Sequence, residues 1–142
     1  MKKILFVLMV CIGFVSCSED YDYYFPQPRN TVSKNGITIN TSIGSPNSVG
    51  GCEVYFNISN QSGKEIKKIH IDVMILDYYN ERVYDDISGS SYSSCTITGP
   101  IYSFADYSCH NSRLFYNYNA DKTHITYCLV EFADGSEIKI QK

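Results

Sequence analysis

The sequence predicts an all-β domain, a two-sheet sandwich of about seven strands. Short runs of alternating apolar and polar residues recur from Gly36 onward, and a period of two is typical of strands with one buried face. Turn-forming residues separate these runs at the spacing of a sandwich. No stretch combines helical periodicity, caps and length. The chain has 13 tyrosines and no tryptophan, a composition that suits half-exposed strands.

In the first half of the domain, the inward residues of each strand are predicted from the odd or even position of its apolar residues (their parity), because alternate side chains of a strand point to opposite faces. Residues 36–42 form the first candidate, and a turn at residues 60–63 separates the second strand from the third. Residues 82–87 are a short edge candidate. The inward residues of the second and third strands are Cys52, Val54, Phe56 and Ile58, then Ile69, Ile71, Val73 and Ile75.

The second half is organised in the same way. One strand carries Cys95 and ends at Gly99-Pro100, and the next opens with Tyr107 and Cys109. Asp134-Gly135 predicts a hairpin turn, because glycine accepts the positive φ that such a turn requires. The inward residues of the last two strands are Thr126, Cys128, Val130 and Phe132, then Ile138 and Ile140.

The first sixteen residues have the layout of a secretory signal. Lys2 and Lys3 precede an apolar run over residues 4–15, and the small residue Ser16 follows it. The run is too short for a membrane-spanning helix, which needs about 20 apolar residues. We therefore predict a signal peptide over residues 1–16, an extended tether over residues 17–35 and one domain over residues 36–142.

The end of this signal, Phe-Val-Ser-Cys at residues 14–17, resembles the lipobox of bacterial lipoproteins. The resemblance implies cleavage before Cys17, lipidation of its sulfur and anchoring in a bilayer, which two or more acyl chains make stable. An ordinary cleaved signal with an incidental Cys17 is the alternative. The acidic residues 18–22 resemble the surface-export signal of some Gram-negative lipoproteins, and a solvated spacer explains them equally well. The predicted location is the outer membrane, facing the cell surface or the periplasm.

Five segments between residues 51 and 140 occur in a characteristic order. They are residues 60–67, Tyr79-Asn80, residues 98–101, Tyr116-Asn117 and residues 131–136. Together they resemble a family of bacterial immunoglobulin-like domains of unknown function, similar in strand order to the FxLYD-type β-sandwich. The resemblance implies an immunoglobulin-like β-sandwich without catalytic residues and without a known ligand.

The cysteines predict disulfides. One of the six leaves with the signal and Cys17 takes lipid, so four remain, an even set in an exported chain. Parity and the implied immunoglobulin-like arrangement favour Cys52–Cys128 across the core, and antiparallel pairing of consecutive strands favours Cys95–Cys109. The two other connectivities stay open, since sequence alone cannot choose among three. Close pairs such as C-x-x-C are absent, so neither a metal nor a cofactor is predicted.

Charge and motifs argue against several functions. The net charge falls from −3 to −5 when two lysines leave with the signal, so the basic footprint of a nucleic-acid-binding protein is absent. Hydrolase motifs and a Gly-rich phosphate loop are absent too.

His70 and Asp72 share one outward strand face without a visible third group, so a solvated face is favoured and no enzyme is predicted. A hydrolase would need a buried cleft with a histidine beside a carboxylate. Four loop carboxylates lack EF-hand spacing and are interpreted as solvated: Asp77, Glu81, Asp85 and Asp86.

The tyrosines divide into two sets. Tyr107, Tyr116 and Tyr118 are interpreted as structural, and those in the predicted tether, loops or edges are Tyr21, Tyr23, Tyr24, Tyr78, Tyr79, Tyr84 and Tyr92. Exposed aromatic rings on a rigid sandwich can stack on sugars or anchor a protein, although ordinary strand-edge tyrosines are the favoured interpretation. The predicted function is a membrane-anchored, non-enzymatic module that binds a protein or has an accessory role in the envelope. The alternative is a carbohydrate-binding lipoprotein that uses exposed tyrosines.

Overall fold

The fold is all-β in the computed structural model, which describes residues 27–141. The strands are β1 (Thr31–Lys34), β2 (Ile37–Ile43), β3 (Gly51–Cys52), β4 (Val54–Asn60), β5 (Ile66–Leu76), β6 (Tyr92–Ile101), β7 (Ala105–His110), β8 (Phe115–Tyr116), β9 (Lys122–Phe132) and β10 (Glu137–Gln141). One sheet has the order β1-β2-β4-β7 and the other β10-β9-β5-β6, while β3 and β8 form a short third sheet. All strand pairs are antiparallel.

This architecture confirms the predicted sandwich. Seven strands have five or more residues, namely β2, β4, β5, β6, β7, β9 and β10. The order β10-β9-β5-β6 corresponds to strands G-F-C-C′ of an immunoglobulin domain, and β2-β4-β7 corresponds to A-B-E. β5 and β9, with 11 residues each, form the centre of their sheet.

The core lies between the two sheets and is rich in β-branched residues, which pack well on pleated surfaces. Nearly all the residues predicted to face inward are buried. Fully enclosed examples are Ile39, Phe56, Ile71 and Val130. Phe56 is among the largest fully buried side chains and lies opposite Thr41 on β2 and Cys109 on β7.

Thr126 is an exception, because β9 contains a bulge. Asp72 lies opposite Tyr127 while Val73 lies opposite Ile125, so Thr126 is the extra residue. It turns out of the core, and its hydroxyl donates a hydrogen bond to the Asp72 carbonyl at 3.1 Å. The bulge reverses the parity of β9, so Ile125 takes the buried position that was predicted for Thr126.

The ordered domain begins earlier than the predicted boundary at residue 36. β1 lies within the stretch interpreted as tether, pairs with β2 and buries Val32. Asn35 and Gly36, with φ of 51° and 78°, form the two-residue turn between these strands. Asn-Gly is the strongest short hairpin signal in a sequence, so this hairpin could have been predicted.

Two further local predictions differ from the structure. Residues 82–87 do not form an edge strand, and Arg82 makes only an isolated bridge with Leu76. Leu114 and Tyr116 have the opposite parity to Cys109, which predicts a bulge near residues 110–113. The parity changes instead because the chain leaves the first sheet after His110 and forms β8 against β3.

Candidate functional site

Three loops at one end of the sandwich enclose an open cleft of about 370 Å³. They follow β2, β5 and β8, and the cleft is named here the tyrosine cleft. Its lining includes Tyr78, Tyr79, Tyr118, Asp77, Asn119 and Asp121. The three tyrosines are 72%, 72% and 62% exposed. Aromatic rings therefore face solvent beside groups that can accept and donate hydrogen bonds.

Tyr118 is held in place from the opposite loop. Its hydroxyl donates to the Ser48 carbonyl at 2.8 Å, and its ring packs against Gly50. Gly50 has φ of +82°, and a Cβ there would lie 3.1 Å from the ring. Glycine thus provides both the left-handed backbone and the room for the ring. The sequence grouped Tyr118 with the structural tyrosines, but its exposed ring lines the cleft.

The loop after β5 is also ordered by its own side chains. Asp77 Oδ1 accepts hydrogen bonds from the backbone N–H groups of Tyr79 and Glu81 at 2.8 and 2.9 Å. The Tyr78 and Tyr79 rings meet edge to face with centroids 5.4 Å apart, and the Lys122 ammonium lies 5.1 Å from the Tyr78 centroid. Because these rings are already positioned, the protein would lose less side-chain conformational entropy when a ligand binds to them.

The remaining tyrosines are dispersed. Tyr84 and Tyr92 are exposed but do not line the tyrosine cleft, and Tyr107 lines the gap between β6 and β7. Tyr21, Tyr23 and Tyr24 lie outside the described residues, as do the predicted signal peptide and Cys17. Among the described tyrosines of the predicted loop set, the structure brings Tyr78 and Tyr79 together, and it adds Tyr118.

His70 has neighbours that the sequence did not reveal. Its Nε2 lies 3.1 Å from Asp72 Oδ1, and its Nδ1 lies 2.9 Å from the hydroxyl of Thr96. Asp72 also accepts a hydrogen bond from Ser94 at 2.6 Å. Thr96 and Ser94 lie directly opposite on β6, a pairing that a single sequence does not show. The group lies on an outward sheet face with His70 and Asp72 side chains 37% and 30% exposed, whereas a hydrolase site would be in a cleft.

The loop carboxylates have different roles. Asp77 orders the cleft loop, whereas Asp85 is buried and caps the backbone N–H groups of Ile87 and Ser88. Arg113 lies 3.4 Å from Asp85. Asp85 was predicted to be a solvated residue, and its burial corrects that interpretation. Among residues 27–141, no group of three or more His, Cys, Asp or Glu side chains is arranged to hold a metal ion.

Cys95 and Cys109 lie close together, but the strands that carry them are not paired with each other. β6 pairs with β5 and β7 pairs with β4, so the two cysteines belong to opposite sheets. Both line the same gap between the sheet edges, and the two thiols are close enough for each to influence the pKa of the other. Parity predicted the inward direction of both side chains, while the predicted antiparallel pairing of the two strands is wrong.

Cys52 and Cys128 are not brought together. The hydroxyls of Thr41 and Thr123 lie 2.8 Å apart across the sheets, and Phe56 is opposite Thr41. Cys52 is four residues before Phe56 and Cys128 is five residues after Thr123. β4 and β9 run in the same direction past this level. Cys52 comes before the level and Cys128 comes after it, so the two thiols lie toward opposite ends of the sandwich. All four described cysteines are free thiols, and a Cys52–Cys128 disulfide does not fit this arrangement.

Burial raises the pKa of all four thiols. The pKa of Cys128 rises to about 12, through desolvation first and the nearby Asp72 carboxylate second. The pKa of Cys52 is raised by desolvation, which a backbone hydrogen bond with Asn117 only partly offsets. These two thiols therefore stay protonated at neutral pH and are poor nucleophiles.

Comparisons with known proteins add no relative. No protein-family model matches the chain, and no curated protein or solved structure matches it significantly. The resemblance to FxLYD-like lipoprotein domains therefore stays a prediction. Over residues 27–141 there is no helix long and apolar enough to cross a membrane.

Proposed function

We propose that this chain is a lipid-anchored envelope protein whose immunoglobulin-like domain binds a neutral carbohydrate in the tyrosine cleft. The observation that carries the proposal is the convergence of three exposed, positioned tyrosine rings around one cleft. Sugar rings have apolar faces that stack on aromatic rings and hydroxyls that bond to carboxylates and amides.

The charge of the cleft favours an uncharged ligand. Among residues 27–141, Asp77 and Asp121 are the only charged residues in its lining. Their carboxylates can accept hydrogen bonds from sugar hydroxyls and would repel an anionic sugar. The Lys122 ammonium lies near the Tyr78 ring and 3.0 Å from the Asn80 side-chain oxygen, so it is engaged in holding the loop.

The anchor rests on the sequence of the first seventeen residues. Cys17 carries the lipid in this proposal, and residues 18–26 connect it to the described part of the chain. A module on such a tether would capture glycans near the outer membrane without catalysis. Protease added to intact cells would digest the domain if it faces outward, and would digest it only after lysis if it faces the periplasm.

A glycan array probed with the full-length protein in detergent tests the carbohydrate. Neutral oligosaccharides should be retained by the native protein, and Tyr118→Ala should lose at least tenfold in binding. Tyr102→Ala is the matched control, because Tyr102 is 61% exposed in the β6–β7 turn, away from the cleft lining. Equal binding by Tyr118→Ala and the native protein would exclude the cleft.

Protein binding is a second candidate, supported by the turn between β6 and β7. Phe104 is 75% exposed and has φ of 62°, which is rare for a bulky residue. A strained, exposed aromatic at the tip of a turn is a suitable anchor for a partner protein. Loss of a co-purifying partner in Phe104→Ala, with glycan binding absent, would favour this function.

A further inference from the structure

We infer that Cys95 and Cys109 form a disulfide that fastens the two sheets together at their open edge, while Cys52 and Cys128 remain thiols. This inference is independent of the tyrosine cleft. It departs from the two-disulfide arrangement that the cysteine count alone suggests.

The geometry of the sheet edges carries the inference. β6 is the last strand of one sheet and β7 is the last strand of the other. Cys95 lies opposite Ile71 and Cys109 lies opposite Phe56, so each cysteine continues a row of core residues out to its sheet edge. Both side chains are half-buried, pack against the core and line the same gap between the edges. A bond between them would close the open side of the sandwich.

Cys95 is too far from Cys128 to pair with it, and Cys52 lies in the separate β3–β8 sheet. Cys128 is opposite Ile71 on the far side of β5 from Cys95. Two strand spacings of about 4.8 Å separate Cys95 from Cys128, more than the roughly 7 Å that a disulfide can span. Cys52 points its sulfur at the carbonyls of Gly50 and Asn117, each at 3.7 Å. Cys52 and Cys128 are fully buried, so a soluble oxidant reaches neither.

Both partly buried thiols can start the exchange. Desolvation raises the pKa of each, so the thiolate that reacts is a minor species at neutral pH. The balance is the same whichever thiol attacks first, and Cys109 serves as the example. The oxidant is a small-molecule or protein disulfide, the class an exported chain meets.

The electrons and protons balance through a mixed disulfide. Cys109 loses its proton, attacks one sulfur of the oxidant and expels the other as a thiolate, which takes up a proton. Cys95 then loses its proton and attacks the Cys109 sulfur, forming the Cys95–Cys109 bond and releasing the second thiol of the oxidant. The two cysteines lose two electrons and two protons, and the oxidant gains them.

Peptide mapping of the full-length protein tests the inference. The protein is incubated with oxidised glutathione, its remaining thiols are alkylated under denaturing conditions, and it is digested with trypsin. Cys95 and Cys109 fall in one peptide, residues 83–113, whereas Cys52 lies in residues 35–64 and Cys128 in residues 123–139. The expected result is an unalkylated peptide 83–113, two hydrogens lighter, which cleavage before Asp106 converts into two linked fragments.

Alkylation tells the other outcomes apart. Peptides 35–64 and 123–139 should each carry one alkyl group. Alkylation of both cysteines in peptide 83–113, or a link between peptides 35–64 and 123–139, would overturn the inference.

Thermal unfolding supplies a second readout. Reduction should lower the Tm of the oxidised protein by roughly 10 °C, as expected for a closed loop of about 15 residues. The Tm of Cys95→Ser should not respond to reductant, whereas Cys128→Ser should keep the full response. A Tm response that survives in Cys95→Ser would also contradict the inference.

Discussion

Gly50 and Tyr118 are far apart in the sequence and in contact at the cleft. The ring of Tyr118 occupies the space where any side chain at residue 50 would begin. Sequence reasoning placed Tyr78 and Tyr79 in a loop, but it could not place Tyr118 beside them. That position depends on the β3–β8 sheet, in which Gly51 pairs with Tyr116. Contacts of this kind arise only once the chain has folded.

We expect Gly50→Ala to destabilise the domain and to weaken glycan binding at least tenfold. An alanine at this φ costs about 1–2 kcal/mol, and its Cβ would also press on the Tyr118 ring at 3.1 Å. Gly89→Ala is the matched control, because Gly89 has φ of +69° with nothing within 4 Å of the added Cβ. Chemical unfolding and glycan titration of both variants measure the difference. Equal effects of the two variants would show that the Tyr118 contact is unimportant.

Because of Asp134, the thermal stability of the domain should depend on pH. Hydrogen bonds from Ser136 and Lys64 hold the pKa of this carboxyl well below its usual range, and Lys64 Nζ lies 2.9 Å from Asp134 Oδ2. A lowered folded-state pKa stabilises the fold above the ordinary carboxyl pKa, and this stabilisation is lost as the pH falls through the folded-state value. The Tm difference between the native protein and Asp134→Asn should therefore be largest near pH 7 and shrink below about pH 4. A constant difference from pH 2 to 7 would contradict this assignment.

Asn60, at the end of β4, connects two turns through one buried side chain. Its Nδ2 lies 2.8 to 3.1 Å from the carbonyl oxygens of Lys64, Ile101 and Tyr102, and its Oδ1 accepts from Ser62. The sequence identified residues 60–63 as a turn but not this role, since the β6–β7 turn is distant in the chain.

Asn60→Ala should lower the free energy of unfolding by roughly 2–4 kcal/mol, because several buried backbone groups would lose their hydrogen-bond partner at once. Asn57→Ala on the same strand is the control, since Asn57 accepts only one side-chain bond, from Ser108 at 2.8 Å. Urea unfolding of the two variants gives the comparison. If Asn60→Ala lost no more unfolding free energy than Asn57→Ala, Asn60 would not be the residue that holds the two turns together.

Strand periodicity explains why most elements could be predicted. Alternation is set by the backbone, so the inward residues of β4, β5 and β10 follow directly from sequence. The β9 bulge, by contrast, depends on how β9 meets β5 and shifts Thr126 out of the core. The partners of β6 and β7 were missed for the same reason, because consecutive strands can either pair or cross between sheets.

At the scale of the whole molecule, we propose that an export signal and a lipid anchor precede a domain whose cleft loops lie at one end. We expect Cys17→Ala to abolish metabolic labelling with a fatty-acid analogue, since the Cys17 sulfur is the predicted lipid attachment site. Cys52→Ala is the control and should label normally, because its thiol is buried in the domain. Unchanged labelling of Cys17→Ala would rule out the lipid anchor.

The most direct test of the binding account is an amide NMR titration of the ¹⁵N-labelled full-length protein with a panel of neutral hexose oligosaccharides at millimolar concentration. Binding in the tyrosine cleft predicts saturable shifts of the Tyr78, Tyr79 and Tyr118 amides, with the β6–β7 turn unaffected. The absence of shifts across the panel, or shifts confined to Tyr102 and Phe104, would contradict the account.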